Sequence, residues 1–180
     1  MALQRNWSGK VGFNPPCLAA LFALCATPTF AQDGSLTGRE VLFSILTLDN
    51  PKEPLFTSTD YGAVVGPGPE FGMVREGTAF GLSSVPVLVD LGTNRLDLSY
   101  PGEAPGRFMA ARFNGYVLRF PTDCVLITGA AIDPDATTLP LTNDNLIVSP
   151  QSLEINVSAH EYDETTRIGV LIDVRDCPIG

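Results

Sequence analysis

The chain has 180 residues, a formal charge of −9, 44% apolar residues and 17% charged ones, below the roughly 25% charge of an ordinary soluble domain. That composition excludes intrinsic disorder, which needs few apolar residues and much charge, and its acidic excess disfavours nucleic acid, whose phosphates it repels. His160 is the only histidine, which removes zinc or triad chemistry built on several imidazoles.

The N-terminal segment reads as a secretory signal peptide. Arg5 and Lys10 supply positive charge, Asn14-Pro15-Pro16 breaks the chain, and Cys17 to Ala26 is an uncharged run of ten residues. A bilayer takes about 20 apolar residues to span, so the alternative, an uncleaved anchor, is too short. Pro28 ends the run, and Thr29-Phe30-Ala31 places small residues before Gln32. Cleavage is expected after Ala31, with Ala26 as the second choice. Leu24 before Cys25 is too bulky for a lipoprotein site. No later segment has the length and apolarity of a membrane span. The expected organisation is a signal peptide over residues 1–31 and one domain over 32–180, in the periplasm or outside the cell.

Removing residues 1–31 leaves 149 and takes the charge to −11, because Arg5 and Lys10 go while all 20 acids stay. That length supports a real core. Trp7, the only tryptophan, leaves with the signal. So do Cys17 and Cys25. Cys124 and Cys177 remain as an even pair in an oxidising compartment, where a disulfide is the default and two buried free thiols the rival. The bridge would close a loop of about 50 residues, worth about 2–4 kcal/mol by restricting the unfolded chain.

Beyond residue 31 the dominant signal is alternation. Strands are expected at Glu40–Leu48, Tyr61–Val65 and Phe71–Arg75. Val85, Val87, Val89 and Leu91 form a further face, with Pro86 marking an edge or a strand start. Leu96, Leu98 and Tyr100 alternate with Arg95, Asp97 and Ser99. Strands are also expected at Tyr116–Phe120, Cys124–Ile132 and Asn145–Val148. Leu153, Ile155, Val157 and Ala159 alternate with polar residues, as do Ile168, Val170, Ile172 and Val174 with Arg167, Gly169, Leu171 and Asp173. This is the pattern of strands with one wet face.

Turn residues separate them at short intervals: Asp49-Asn50-Pro51, Gly66 to Pro69, Gly92-Thr93-Asn94, Pro101 to Gly106 and Asn143-Asp144-Asn145. Asn114-Gly115 reads as a type I′ turn, since both residues tolerate positive φ. No capped helix of ten residues is visible, which argues against α/β enzymes. The expected fold is an all-β antiparallel β-sandwich, Ig-like or jelly-roll-like.

Candidate chemistry is sparse. Asp133, Asp135 and Asp144, with Thr137, Thr138 and Asn143, make the densest oxygen cluster and could serve calcium, which wants six to eight oxygens. The EF-hand spacing fails, because Thr138 stands where glycine is needed and Asp144 where a bidentate glutamate belongs. Two turns capped by Asp and Asn account for the same residues. His160 with Glu161, Asp163 and Glu164 offers a base among carboxylates, or an exposed turn. Ser83-Ser84 lacks the glycine that a nucleophile elbow needs, where Val85 stands. A carboxylate-pair hydrolase depends on spatial separation that sequence does not give. Phe108, Phe113, Tyr116 and Phe120, with Tyr61, Tyr100 and Tyr162, could form a glycan- or peptide-binding face, or simply core.

Phe108–Phe120 (FMAARFNGYVLRF) and Cys124–Val174 together resemble a group of small exported bacterial domains. The shared features are Phe113-Asn114-Gly115-Tyr116 before a strand, an Asn/Thr-containing turn, an alternating strand and a short final strand. The resemblance covers about 70 residues and implies a bacterial, exported β-sandwich with no catalytic residue to carry over. Many such proteins carry a C-terminal PEP-type sorting segment. This chain ends at Asp176-Cys177-Pro178-Ile179-Gly180, without that pattern, so retention by that sorting system is not implied.

The expected function is therefore non-catalytic, a structural envelope or matrix component with a partner that the sequence does not name. The alternatives are a polysaccharide- or calcium-dependent binding module and a carboxylate hydrolase. Exposed strand edges would permit homo-association, which acidic charge opposes.

Overall fold

Alternation becomes strand wherever one face can be buried. The computed structural model describes residues 34–72, 78–79, 82–121 and 125–176, with side chains for 34–72, 84–121 and 125–176. In chain order the first strands are β1 (Glu40–Leu48), β2 (Phe56–Thr57), β3 (Tyr61–Val64), β4 (Thr78–Ala79) and β5 (Leu82–Ser83). The middle of the chain gives β6 (Leu88–Leu91), β7 (Arg95–Ser99), β8 (Gly106–Arg107), β9 (Phe113–Arg119) and β10 (Val125–Ile132). The last are β11 (Leu146–Ser149), β12 (Ser152–Asn156), β13 (Glu161–Tyr162) and β14 (Arg167–Asp176). Among the described residues the one helix is a 3-10 turn at Asn143–Asn145.

Every pairing is antiparallel. The larger sheet runs β11-β12-β9-β1-β2, with β3 also paired to β1. The smaller runs β10-β14-β7-β6, and β13-β8 and β4-β5 are short ribbons. The centre of the larger sheet is the β1–β9 ladder, from Leu42↔Arg119 to Leu48↔Phe113. Both sheets send their apolar faces into one core. Phe43, Leu118, Leu153 and Ile155 enter it from the larger sheet, and Val89, Leu96, Ile168 and Val170 from the smaller, all fully shielded from water. Each such side chain contributes about 1.5–3 kcal/mol of burial. Phe43 stacks on Phe71 and on Tyr116, with ring centroids 5.3 and 5.8 Å apart.

The all-β, antiparallel expectation holds. β1 has the expected bounds, and Ile168, Val170, Ile172 and Val174 are the buried face of β14. The strand expected from Val85 starts at Leu88, beyond Pro86. At the strand expected over Phe71–Arg75, Phe71 makes an isolated bridge to Val89, and residues 73–77 lie outside the described residues. The strand expected to reach Ala159 stops at Asn156, because Ala159 turns the chain at φ 63°.

Asn114-Gly115 is not a turn. Both residues lie inside β9, paired with Thr47 and Leu46 of β1, and Gly115 is not among the glycines at positive φ. Asn and Gly are here for a different reason. A Cβ on Gly115 would run into the Ile155 carbonyl oxygen of β12. The Asn114 side chain accepts from Thr47 Oγ1 at 2.9 Å and donates to the Met109 carbonyl at 2.9 Å. Close backbone approach and a side-chain tie place the pair mid-strand.

Candidate functional site

A cavity of about 340 Å³ opens beside β9. Its floor is Ile45 and Thr47 of β1 with Asn114 and Tyr116 of β9, all from strands locked in the central ladder. The opposite wall comes from the β8–β13 ribbon and the turn before it: Glu103, Arg107, Phe108 and Tyr162. Phe108 packs on Tyr162 with centroids 4.6 Å apart, and Tyr100 meets both rings at 5.8 and 6.1 Å. Arg107 is fixed at the rim by donating from Nε to the Ala159 carbonyl at 2.9 Å. That carbonyl belongs to the one described non-glycine residue in the left-handed region, a conformation that costs energy and often accompanies function.

Beneath the cavity lies a buried tyrosine pair. Tyr100 and Tyr116 are 0% and 2% exposed, and their hydroxyl oxygens stand 2.8 Å apart. Burial pushes both phenols above their ordinary value of 10.0, because an anion has no water to solvate it there. Tyr162 is also raised, by burial and then by the Glu103 charge.

A raised phenol holds its proton in the folded state, whereas the unfolded chain releases it near pH 10. Stability from this pair is therefore complete below about pH 10 and falls as pH rises beyond it. Alkaline titration should show tyrosinate absorbance from Tyr100 and Tyr116 rising in the same cooperative step as loss of β-sheet circular dichroism. A Tyr100→Phe/Tyr116→Phe double variant should lose that coupling. Ionisation of all tyrosines while the sheet stays intact would contradict the burial.

The remaining sequence candidates are dispersed. Asp133 Oδ2 accepts from Arg95 Nη1 at 2.5 Å, while Asp97 grips the same guanidinium through both carboxylate oxygens at 2.6 and 2.8 Å. Arg95 accordingly holds the Asp133 carboxyl below the usual range, helped by the Asp135 backbone N–H. Asp135 is exposed and belongs to that same turn, donating its N–H to Asp133 Oδ1 at 3.0 Å. Asp144 sits in the 3-10 turn, its N–H bonded to Thr142 Oγ1 at 3.3 Å. The two turns are linked by Ile132 N–H donating to Asn143 Oδ1 at 2.9 Å. Among the described residues no three His, Cys, Asp or Glu side chains come together as a metal site, so Asp133, Asp135 and Asp144 do not converge.

His160 is half-buried and engages the fold through its backbone, accepting from Phe108 N–H at 2.9 Å. Neighbouring Asp163 accepts from Thr165 and Thr166 and is lowered by those bonds. Of the aromatics, Phe108, Phe113, Tyr116, Phe120 and Tyr100 are buried, while Tyr61 and Tyr162 are half-buried. Glu103 and Arg107 carried no sequence signal, because the Pro101–Gly106 stretch reads only as a turn. Cys124 and Cys177 lie outside the described residues. Among the described residues no helix is long and apolar enough to cross a membrane. No protein-family model matches the chain, and neither a curated protein nor a solved structure significantly similar to it was found.

Proposed function

We propose that this is an exported, non-catalytic β-sandwich protein with a structural role in the bacterial envelope or its surrounding matrix. The observation that carries this is where the polar chemistry goes. Arg95, Asp97, Asp133, Asp163, Asn114 and Asn156 all bind turns and strands of the protein itself. Residues so engaged hold a scaffold rather than wait for a substrate.

The sandwich packing is supported by the shared core and by the Tyr100–Tyr116 bond, which joins the residue after β7 of the smaller sheet to β9 of the larger. Export is supported by the N-terminal signal pattern and by the resemblance to small exported domains. For the disulfide, support comes from Val125 and Asp176, the sequence neighbours of Cys124 and Cys177, which are register partners in the β10–β14 ladder.

Expression in a bacterial host with an intact export pathway tests the proposal. The exported protein should begin at Gln32, absorb in the near ultraviolet through tyrosine alone, and turn over nothing in a broad hydrolase panel. An intact residue 1–31 segment on the exported protein would refute the export reading. Turnover abolished by one carboxylate-to-amide change would refute the non-catalytic one. A second reading, a ligand-binding module, is favoured by the cavity between β9 and the β8–β13 ribbon.

A further inference from the structure

We propose that the cavity beside β9 binds the neutral pyranose ring of a glycan, with Tyr162 and Phe108 as the apolar wall and Glu103 and Arg107 as the polar contacts. This rests on the binding-module reading and gives it a ligand class.

Size comes first. At about 340 Å³ the cavity lies at the low end of small-molecule sites, about 300–1,000 Å³, which suits one or two sugar rings rather than a peptide. Its lining is the second argument. A pyranose has apolar C–H faces and a rim of hydroxyls, so it needs aromatic surface and hydrogen-bonding groups in the same small space. Here Phe108 and Tyr162 pack together at 4.6 Å in a lining that also holds the Glu103 carboxylate and the Arg107 guanidinium. Aromatic rings of this kind present large, stiff contact area at little entropic cost.

Charge narrows the class further. Glu103 and Arg107 carry opposite signs on one wall, so neither an anion nor a cation meets a one-sided field. The chain as a whole is acidic, which disfavours uronic acids and phosphates.

The fold also presets the rim, since the Ala159 carbonyl restrains the Arg107 side chain before any ligand arrives, which lowers the ordering cost of binding.

The test is NMR titration of the full chain after export, using glucose, galactose, N-acetylglucosamine and their disaccharides. Glucuronate, glucose 6-phosphate and glycine serve as charged controls. A neutral sugar should shift the resonances of Phe108, Asn114 and Tyr162, with affinity in the millimolar range. Tyr162→Ala should weaken it by about tenfold or more, while Tyr162→Phe keeps it. Arg107→Met and Glu103→Gln should each weaken binding as well, and they guard against a Tyr162→Ala variant that fails to fold. No shift with any neutral sugar overturns the proposal, as do shifts confined to other surfaces or binding only to the charged controls. Recovery of the sugars unaltered keeps the non-catalytic reading. A hydrolysed disaccharide would instead sink that reading and leave the binding site standing.

Discussion

Gly115→Ala should be the most damaging small substitution in this protein. Gly115 lies in β9 between two paired neighbours, Leu46 of β1 and Asn156 of β12. A methyl group there would overlap the Ile155 carbonyl oxygen and sit 2.9 Å from its carbonyl carbon. Both atoms are backbone, so no side chain can swing aside, and β12 itself must move. Ile155 and Tyr116, register partners and both buried, would move with it. The expected loss is at or above the upper end of the about 1–3 kcal/mol of an overpacked core. For a domain of this size that lowers the melting temperature by about 6–12 °C. Gly72→Ala is the control, because a Cβ there meets nothing within 4 Å, and it should be neutral or slightly stabilising. A thermal melt of Gly115→Ala within about 2 °C of wild type would mean that the β9–β12 approach is wrong.

Loss of the proposed Cys124–Cys177 bridge should cost a comparable amount. Val125 and Asp176 end the described β10–β14 ladder as register partners. Opposed residues in an antiparallel pair stand about 4.5–5.5 Å apart at Cα, within the about 4.4–6.8 Å that a disulfide spans. The expected cost of removal is about 2–5 kcal/mol, a large share of the about 5–15 kcal/mol that holds a domain folded.

The damage should begin at the end of β14. There Arg39 pairs with Asp176 at 2.8 Å, and Gly34 N–H bonds the Val174 carbonyl at 2.9 Å, so fraying would release the segment before β1 as well. Cys177→Ser should therefore accumulate poorly in an oxidising compartment and lose protease resistance near its C-terminus. Reduced wild type should behave alike. Alkylation of unreduced, denatured protein decides the matter by mass: no modified cysteine supports the bridge, and two modified cysteines remove it.

What local sequence determined is the strand content and the inward faces. The side-chain period of two is a local property, so Glu40–Leu48 and the Ile168 to Val174 face were legible without any knowledge of neighbours. Turn residues were legible for the same reason, as with Gly68 and Gly102 at φ 90° and 76°.

Only the tertiary structure decided what depends on a partner strand distant in sequence. Asn114-Gly115 carries the local signature of a hairpin turn, yet becomes mid-strand because β1 and β12 approach β9 from either side. Asp133 looks like a free oxygen ligand until Arg95, 38 residues away, is brought to it. The aromatics were legible as a set, but their division into buried core and a half-buried Tyr162 beside Glu103 and Arg107 was not. A cavity is the space left between elements that pack imperfectly, and no periodicity along one chain segment encodes it.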